Sequence, residues 1–403
     1  MRRRPGWFPS GLLGEISGSV GDLGVSLPLA FALVVSNGFP VARIFLLWGL
    51  VYFLTGWYYR VPVSVQPLKA MAVIAIAAGI APDELASTAF FYGVIFVALA
   101  RAGAIAWLER LFTRALVQGI QLGIGLLLAF KAIQLVREYG LFLTSTEPTE
   151  VAALVMTGVV LAILLAGETW LRKPLAIFVL AAGLVYGLVF RTMTGTVVDL
   201  VAPEGLAWQF TLPQVALFPE LLVVLILPQL PLTLGNAVFA ASDACRQCWP
   251  ARAGRTSATA LATSIGVSNV GIGLLGGFPV CHGAGGIAAH ARFGGKTGLT
   301  TMFLGAVFCV VAAVDDWSHF LFLIPVPVLG ALLLLTSWAL IRLCWRLQGL
   351  PEWVVALLVG GIAFGTRHLT LALLVGLIAE RVWAWHRTGQ LHLILPRDDR
   401  DSP

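Results

Sequence analysis

The chain is 403 residues long, 59% hydrophobic and 11% charged, with a formal net charge of +6. Soluble chains carry about 25% charged residues, so a soluble enzyme or binding module is excluded. The basic surplus reads as membrane topology and not as the footprint of a nucleic-acid partner.

From the start, Met1-Arg2-Arg3-Arg4-Pro5 runs into Gly6 and Trp7. It lacks the short apolar region and small-residue cleavage site of a signal peptide and is expected to be a cytoplasmic anchor. Apolar segments then recur to the end of the chain. They lie near 14–35, 42–59, 61–80, 85–101, 110–133, 151–169, 174–191, 216–241, 257–275, 277–291, 298–314, 320–345, 352–365 and 368–386, which predicts fourteen spans. The first holds Asp22 inside Gly18-Ser19-Val20-Gly21-Asp22-Leu23-Gly24. The third opens with Pro62-Val63-Ser64-Val65-Gln66-Pro67-Leu68-Lys69-Ala70, a stretch that cannot start as helix. The eighth carries Pro228 and Pro231, which predict a kink, and Gln229, Thr233 and Asn236 at helical spacing on one face. Cys245 and Cys248 follow as a lone C-x-x-C, without the second pair a structural zinc site needs; they are expected as free thiols in a cytoplasmic loop. The tenth opens with Phe278-Pro279-Val280-Cys281-His282-Gly283-Ala284-Gly285-Gly286.

Placing the N-terminus inside and alternating puts Arg101, Arg110, Arg114, Arg172, Lys173, Arg246, Arg252, Arg255, Arg292, Lys296, Arg342, Arg346, Arg381 and Arg387 on the inner side. The outer loops then hold Arg43, Arg137, Arg191 and Arg367, and more of the acids: Asp83, Glu84, Glu147, Glu150, Asp199, Glu204, Asp315 and Asp316. This asymmetry predicts a multi-pass cell-membrane protein with both termini cytoplasmic. The broken element is third in each set of seven spans. An odd number of spans per repeat inverts the second repeat, so residues 1–205 and 206–390 are expected as inverted repeats, followed by a short tail at 391–403. No separate soluble domain is expected.

Irregular backbone at membrane depth is tolerated only where protein buries it or where it lines a cavity. A pair of such breaks, one per repeat, points to a transporter binding site. A half-helix starting inside the membrane exposes unpaired N–H groups and carries roughly half a positive charge. Two such ends plus the Lys69 ammonium give about +2, which suits a tetrahedral dianion. Lys69 can alternatively snorkel to the surface. Gln66, and less so Ser64, can donate from the first stretch. From the second, Cys281, His282 and Gly283 face the same place, with small residues through Gly286 allowing close approach of a ligand to the backbone. His282 either donates to an oxyanion or satisfies a neighbouring carbonyl. Gln229 and Asn236 either line the cavity or bond helix to helix. Asp22 is costly in a membrane and functional by default; it is either counter-ion to Lys69 or the acceptor of a coupled proton.

These motifs, with Arg292-Phe293-Gly294-Gly295-Lys296-Thr297-Gly298 after the second break, resemble the molybdate transporter family, a branch related to the SulP sulfate permeases. The resemblance covers nearly the whole chain. It implies an all-α polytopic fold like that of uracil permease, with seven plus seven inverted spans, core and gate domains, and short strands opening the half-helices of spans three and ten. It implies uptake of molybdate, with sulfate as the related substrate and the anion held between those helix starts. No cofactor is implied. The expected partners are molybdate or sulfate, protons and the lipid bilayer, with a homodimer as the candidate assembly. SulP proteins carry a cytoplasmic regulatory domain after the last span, for which this chain leaves no room. Ser64 departs from the small or apolar residue expected there. A nucleobase permease of the same fold would hold its base with carboxylates from spans eight and ten, where this chain offers Gln229, Asn236, Cys281 and His282 and no acid. An anion channel shares the same site. A membrane enzyme lacks any visible nucleophile–base–acid set.

Overall fold

The computed structural model describes residues 11–109, 111–142, 150–167, 175–194, 210–314 and 323–388. The basic start at 2–4, the repeat boundary at 205/206 and the tail at 391–403 lie outside the described residues. So do Arg110, Arg172, Lys173, Glu147, Asp199, Glu204, Asp315 and Asp316.

Helix α1 (Leu12–Ser19) passes through one tight turn, Val20–Asp22, into α2 (Leu23–Asn37), and the pair bends by 44°. Helix α3 (Val41–Tyr59) ends on Arg60 in the left-handed region, φ 59°. Pro62 and Pro67 lack an N–H and push the residues before them out of helical conformation. The chain therefore runs extended into β1 (Gln66–Pro67), and α4 (Lys69–Ala78) begins only after Leu68. Helix α5 (Pro82–Arg101) opens with Pro at its start and Asp83 and Glu84 in its first turn, where a missing N–H costs nothing and negative charge suits the dipole. The short α6 (Ile105–Glu109) leads to α7 (Arg114–Tyr139), capped by Thr113, whose hydroxyl accepts from the Leu116 N–H at 3.2 Å. Helices α8 (Glu150–Ala166) and α9 (Ala176–Thr194) follow.

The next helical run, α10 (Val215–Cys248), is 34 residues long. Pro228 and Pro231 sit in a regular segment, Leu227–Leu232, between two wide π-helical stretches, Leu222–Ile226 and Thr233–Phe239. The wider turns absorb what two prolines do to an α-helical ladder. The run reaches Cys248, so Cys245 and Cys248 lie on helix and not in a loop; both are free thiols, Cys245 buried and Cys248 exposed. Helix α11 (Ala258–Leu274) precedes β2 (Val280–Cys281) and α12 (Ala284–Arg292). Helices α13 (Leu299–Ala313), α14 (Val326–Ile341), α15 (Leu350–Thr366) and α16 (Leu369–Thr388) complete the described chain.

Six described helices are long and apolar enough to cross a bilayer singly, and the bent α1–α2 pair makes a seventh. Large apolar side chains such as Leu54, Trp57, Val310, Leu357 and Ile378 face outward, as lipid contact requires. The tightest packing joins α3 to α13 and α5 to α11. A side chain at Gly49 would lie 2.7 Å from the Gly305 carbonyl, and Gly56 meets Gly298 still more closely. One at Gly93 would lie 2.6 Å from the Gly266 carbonyl, and one at Gly273 2.7 Å from the Ala86 carbonyl. Both crossings thus use small residues seven apart on each helix, letting backbones touch where lipid supplies no hydrophobic drive. A second set of helices forms around α7, which packs on α14 and α15.

Candidate functional site

The two breaks meet. β1 and β2 pair antiparallel, with Gln66 opposite Cys281 and Pro67 opposite Val280. Leu68 N–H donates to the Pro279 carbonyl at 3.0 Å. The far edge of β2 is held by Asn269 of α11, which donates to the Val280 carbonyl at 2.7 Å and accepts from the Val280 N–H at 2.8 Å. The two strands and the starts of α4 and α12 therefore form one buried junction.

Ser64 ties the first stretch to the second: its hydroxyl donates to the Gly283 carbonyl at 2.7 Å and accepts from the Gly283 N–H at 3.1 Å. Gln66 is 2% exposed and donates its Nε2 to Asp22 Oδ1, while its Oε1 is buried with no hydrogen-bond partner. Asp22 is fully buried, and its Oδ2 accepts from the Tyr52 hydroxyl at 2.7 Å. No ion pair joins Asp22 to Lys69 among the described residues. The counter-ion reading therefore gives way to a carboxylate held by two neutral donors.

Gln229 caps α4. Its Oε1 accepts from the Ala70 N–H at 2.8 Å and the Met71 N–H at 3.2 Å, and its Nε2 donates to Thr233 at 3.0 Å. The expectation that two helix ends meet as an anion site is thereby narrowed: protein satisfies two of the backbone donors at the start of α4. Asn236 is half-buried and does not join this cluster. Thr233 begins a π-helical stretch, where more residues fit in each turn, so a residue three positions on falls off the face expected from α-helical spacing.

His282 is 1% exposed and fully engaged. Its Nδ1 donates to the Ser64 carbonyl at 3.0 Å and its Nε2 lies 2.7 Å from the Ser264 hydroxyl, itself 2.6 Å from the Tyr59 hydroxyl. The structure thus takes the packed alternative and leaves no ring N–H for a ligand. Cys281 is buried, within electrostatic reach of Lys69. Lys69 is partly buried in the first turn of α4 and makes no ion pair among the described residues.

The glycines divide. A side chain at Gly283 would collide with the Gln66 amide, and one at Gly286 would lie 2.6 Å from Asp22 Oδ1. These two admit protein side chains and not a ligand. Gly285 is exposed, with nothing within 4 Å of where its Cβ would be. The N–H groups of Ala284, Gly285 and Gly286 find no acceptor among the described residues, the first helical bond being Ile287 N–H to the Gly283 carbonyl. The start of α12 thus keeps three backbone donors without an acceptor among the described residues, and Lys69, in the first turn of α4, is within electrostatic reach of Cys281.

A sequence profile described as "Molybdate transporter of MFS superfamily" matches residues 14–128 and 222–340. The chain belongs to this molybdate transporter family. It is 28% identical to Molybdate transporter 2 of Arabidopsis thaliana over 387 residues, covering 83% of this chain and 80% of that one. It is 26% identical to Molybdate transporter 1 of Chlamydomonas reinhardtii, covering 90% of each. In fold it is similar to the transmembrane domain of the cyanobacterial bicarbonate transporter BicA, with TM-score 0.63 and 17% identity over 92% of this chain and 98% of that one. It is also similar to the murine anion transporter Slc26a9 in its inward-facing state, with TM-score 0.66 and 13% identity over 94% of this chain and 69% of that one. The relatives are transporters, not enzymes, and the molybdate transporter chain is a multi-pass membrane protein of the anion-transporter fold.

The last part of the family-like motif, Arg292 to Gly298, lies away from the helix starts. Glu15, 2% exposed, accepts from the Lys296 N–H at 3.3 Å, the Thr297 N–H at 3.2 Å and the Thr300 hydroxyl, while Trp249 donates to the Gly295 carbonyl at 3.1 Å. This loop latches α1 to the α12–α13 connection. Sequence reasoning missed Glu15, Tyr52, Ser264 and Asn269. Each is a polar residue in or beside an apolar span, the same signal that singles out Asp22 and Lys69.

Proposed function

We propose that the chain is a secondary active transporter that imports a tetrahedral oxyanion, molybdate first, with sulfate as the alternative, and that a proton enters with it through Asp22. It crosses the cell membrane fourteen times as two inverted repeats, 1–205 and 206–390, with both termini cytoplasmic and a homodimer as its assembly. The repeat reading is supported by packing that exchanges under inversion: span two on span eleven is α3 on α13, and span nine on span four is α11 on α5.

The observation that carries the function is the uncapped start of α12. The N–H groups of Ala284, Gly285 and Gly286 have no acceptor among the described residues, nothing stands within 4 Å of a Cβ at Gly285, and Lys69 lies in the first turn of α4. An acceptor-only dianion satisfies those donors, and the dipole and ammonium balance its charge. Gln66, Lys69, Cys281 and Gly283 border that place. Gln229 and His282 act from behind, one as the cap of α4 and one as a brace between Ser64 and Ser264.

Titration of purified protein with molybdate and with sulfate tests the reading. Saturable molybdate binding that Lys69→Ala weakens is expected. Absence of saturable binding of either anion would overturn it. An anion channel of the same fold is separated by uptake into proteoliposomes: accumulation above the equilibrium level in an inward proton gradient is expected of the transporter and impossible for a channel.

A further inference from the structure

Gln66 holds the two ends of its amide in opposite circumstances. Nε2 donates to Asp22, while Oε1, on a residue 2% exposed, is buried without a donor against Gly283 at the mouth of α12. A carbonyl oxygen at that place turns its negative end toward the position the oxyanion takes in the reading above. We propose that the Gln66 amide turns over when Asp22 takes up a proton, and that this turn links proton entry to oxyanion binding. The inference rests on the oxyanion reading of the site.

The chemistry follows from donor and acceptor inventories. An ionised carboxylate only accepts, so it holds the NH2 end of Gln66 toward itself. A proton arriving from water in the opening beside Gly285 bonds to Asp22 Oδ1 and makes that oxygen a donor. It then donates to Gln66 Oε1, and half a turn about the Cγ–Cδ bond brings Nε2 to the place Oε1 held. Tyr52 continues to donate to Oδ2 as before. The NH2 group now adds a donor to the three N–H groups of α12. Anion and proton favour the same amide orientation, so each strengthens the other by the same factor. Gly283 is required because any side chain there occupies the volume the amide sweeps.

The titratable groups that reach Asp22 come from three elements. Tyr52 approaches from α3. His290 from α12 and Cys281 from β2 lie within electrostatic reach of it, and Lys69 from α4 is within reach of Cys281. His290 is the competing proton acceptor, since its Nδ1 donates to the Gly18 carbonyl at 2.8 Å and its Nε2 is buried without a partner.

Calorimetric titration with molybdate, in two buffers of different protonation enthalpy at one pH, counts protons taken up on binding. The wild type is expected to take up about one proton per anion, with affinity rising as pH falls. Gln66→Met removes both amide atoms and is expected to abolish the uptake and weaken binding about tenfold to a hundredfold. Asp22→Asn is nearly isosteric. Its NH2 donates to Gln66 Oε1 permanently, so binding is expected to persist, without proton uptake and without pH dependence. His290→Gln is expected to keep the wild-type uptake. Infrared difference spectra on molybdate addition are expected to gain a carboxylic C=O band that Asp22→Asn lacks. Undiminished uptake in Gln66→Met or in Asp22→Asn, or loss of uptake in His290→Gln alone, would overturn the relay while leaving the anion site standing. A wild type that binds no molybdate would overturn the site and the relay together.

Discussion

The helix starts of α4 and α12, each following a proline-containing break and one strand of the pair, are finished differently. At α4 the amide oxygen of Gln229 caps two backbone donors. At α12 Ser64 takes only the Gly283 N–H, and the next three donors have no acceptor among the described residues. Unsatisfied donors in a membrane are costly, so an uncapped start persists where a ligand or water completes it. The comparison teaches that two similar breaks need not be completed alike: in the function proposed above, the start of α4 contributes Lys69 and the start of α12 the backbone donors.

The largest effect is expected where the two stretches touch. Gly283→Ala drives a methyl into the Gln66 amide and should cost about 1–3 kcal/mol of stability, as overpacking does. Molybdate binding should fall below detection, read by thermal melts and titration of the same preparation. An unchanged melt would break the picture of a filled junction. Next comes Lys69→Ala, which should weaken molybdate binding about tenfold to a hundredfold with little change in melting. Arg292→Ala, at the exposed far end of α12, should change affinity less than about twofold. Equal, small losses in both would reject the lysine as a site residue. Gln229→Glu sharpens the contrast further. The carboxylate still accepts from Ala70 and Met71, but an unpaired charge at a residue 2% exposed lowers the melting temperature, and because it opposes the anion affinity should fall about tenfold. If affinity rises instead, α4 is not part of the anion's surroundings. The smallest change is Gly285→Ala. Nothing in the protein resists the added methyl, so melting should stay the same while it crowds the opening and lowers affinity a few-fold. Identical molybdate affinity would place the anion elsewhere.

The sequence made the breaks legible because proline chemistry is local. Pro62, Pro67 and Pro279 push the residues before them out of helical conformation, α4 begins two residues after Pro67, and α12 begins after the strand that follows Pro279. Lys69 and Asp22 were legible as charges in apolar surroundings. What stayed hidden depended on partners distant in the chain. Gln229 reads equally as a cavity residue or a helix-to-helix bond until its distance to Ala70 is known. His282 is a candidate donor until Ser64 and Ser264 are seen at its two nitrogens. Asn236 misled because spacing presumes one helical period, and the π-helical turns after Thr233 change it. The Arg292 to Gly298 motif identified the family while contributing a latch for Glu15 instead of a ligand contact.

The strand pair has a consequence for how the protein is made. Ser64 and Gly283 are 219 positions apart, and each of the two strands is only two residues long. β1 has no ladder partner until β2 exists, and neither Ser64 nor Gln66 has its later surroundings. At ribosomal speeds of about 5–20 residues per second, the first break waits roughly ten to forty seconds for the second. During that interval the insertion machinery holds a stretch of bare backbone that the bilayer cannot satisfy. The nascent first repeat should therefore be a client of membrane chaperones and a substrate for quality-control proteases. Its release should coincide with synthesis of residues 280–283 and not with completion of its own last helix.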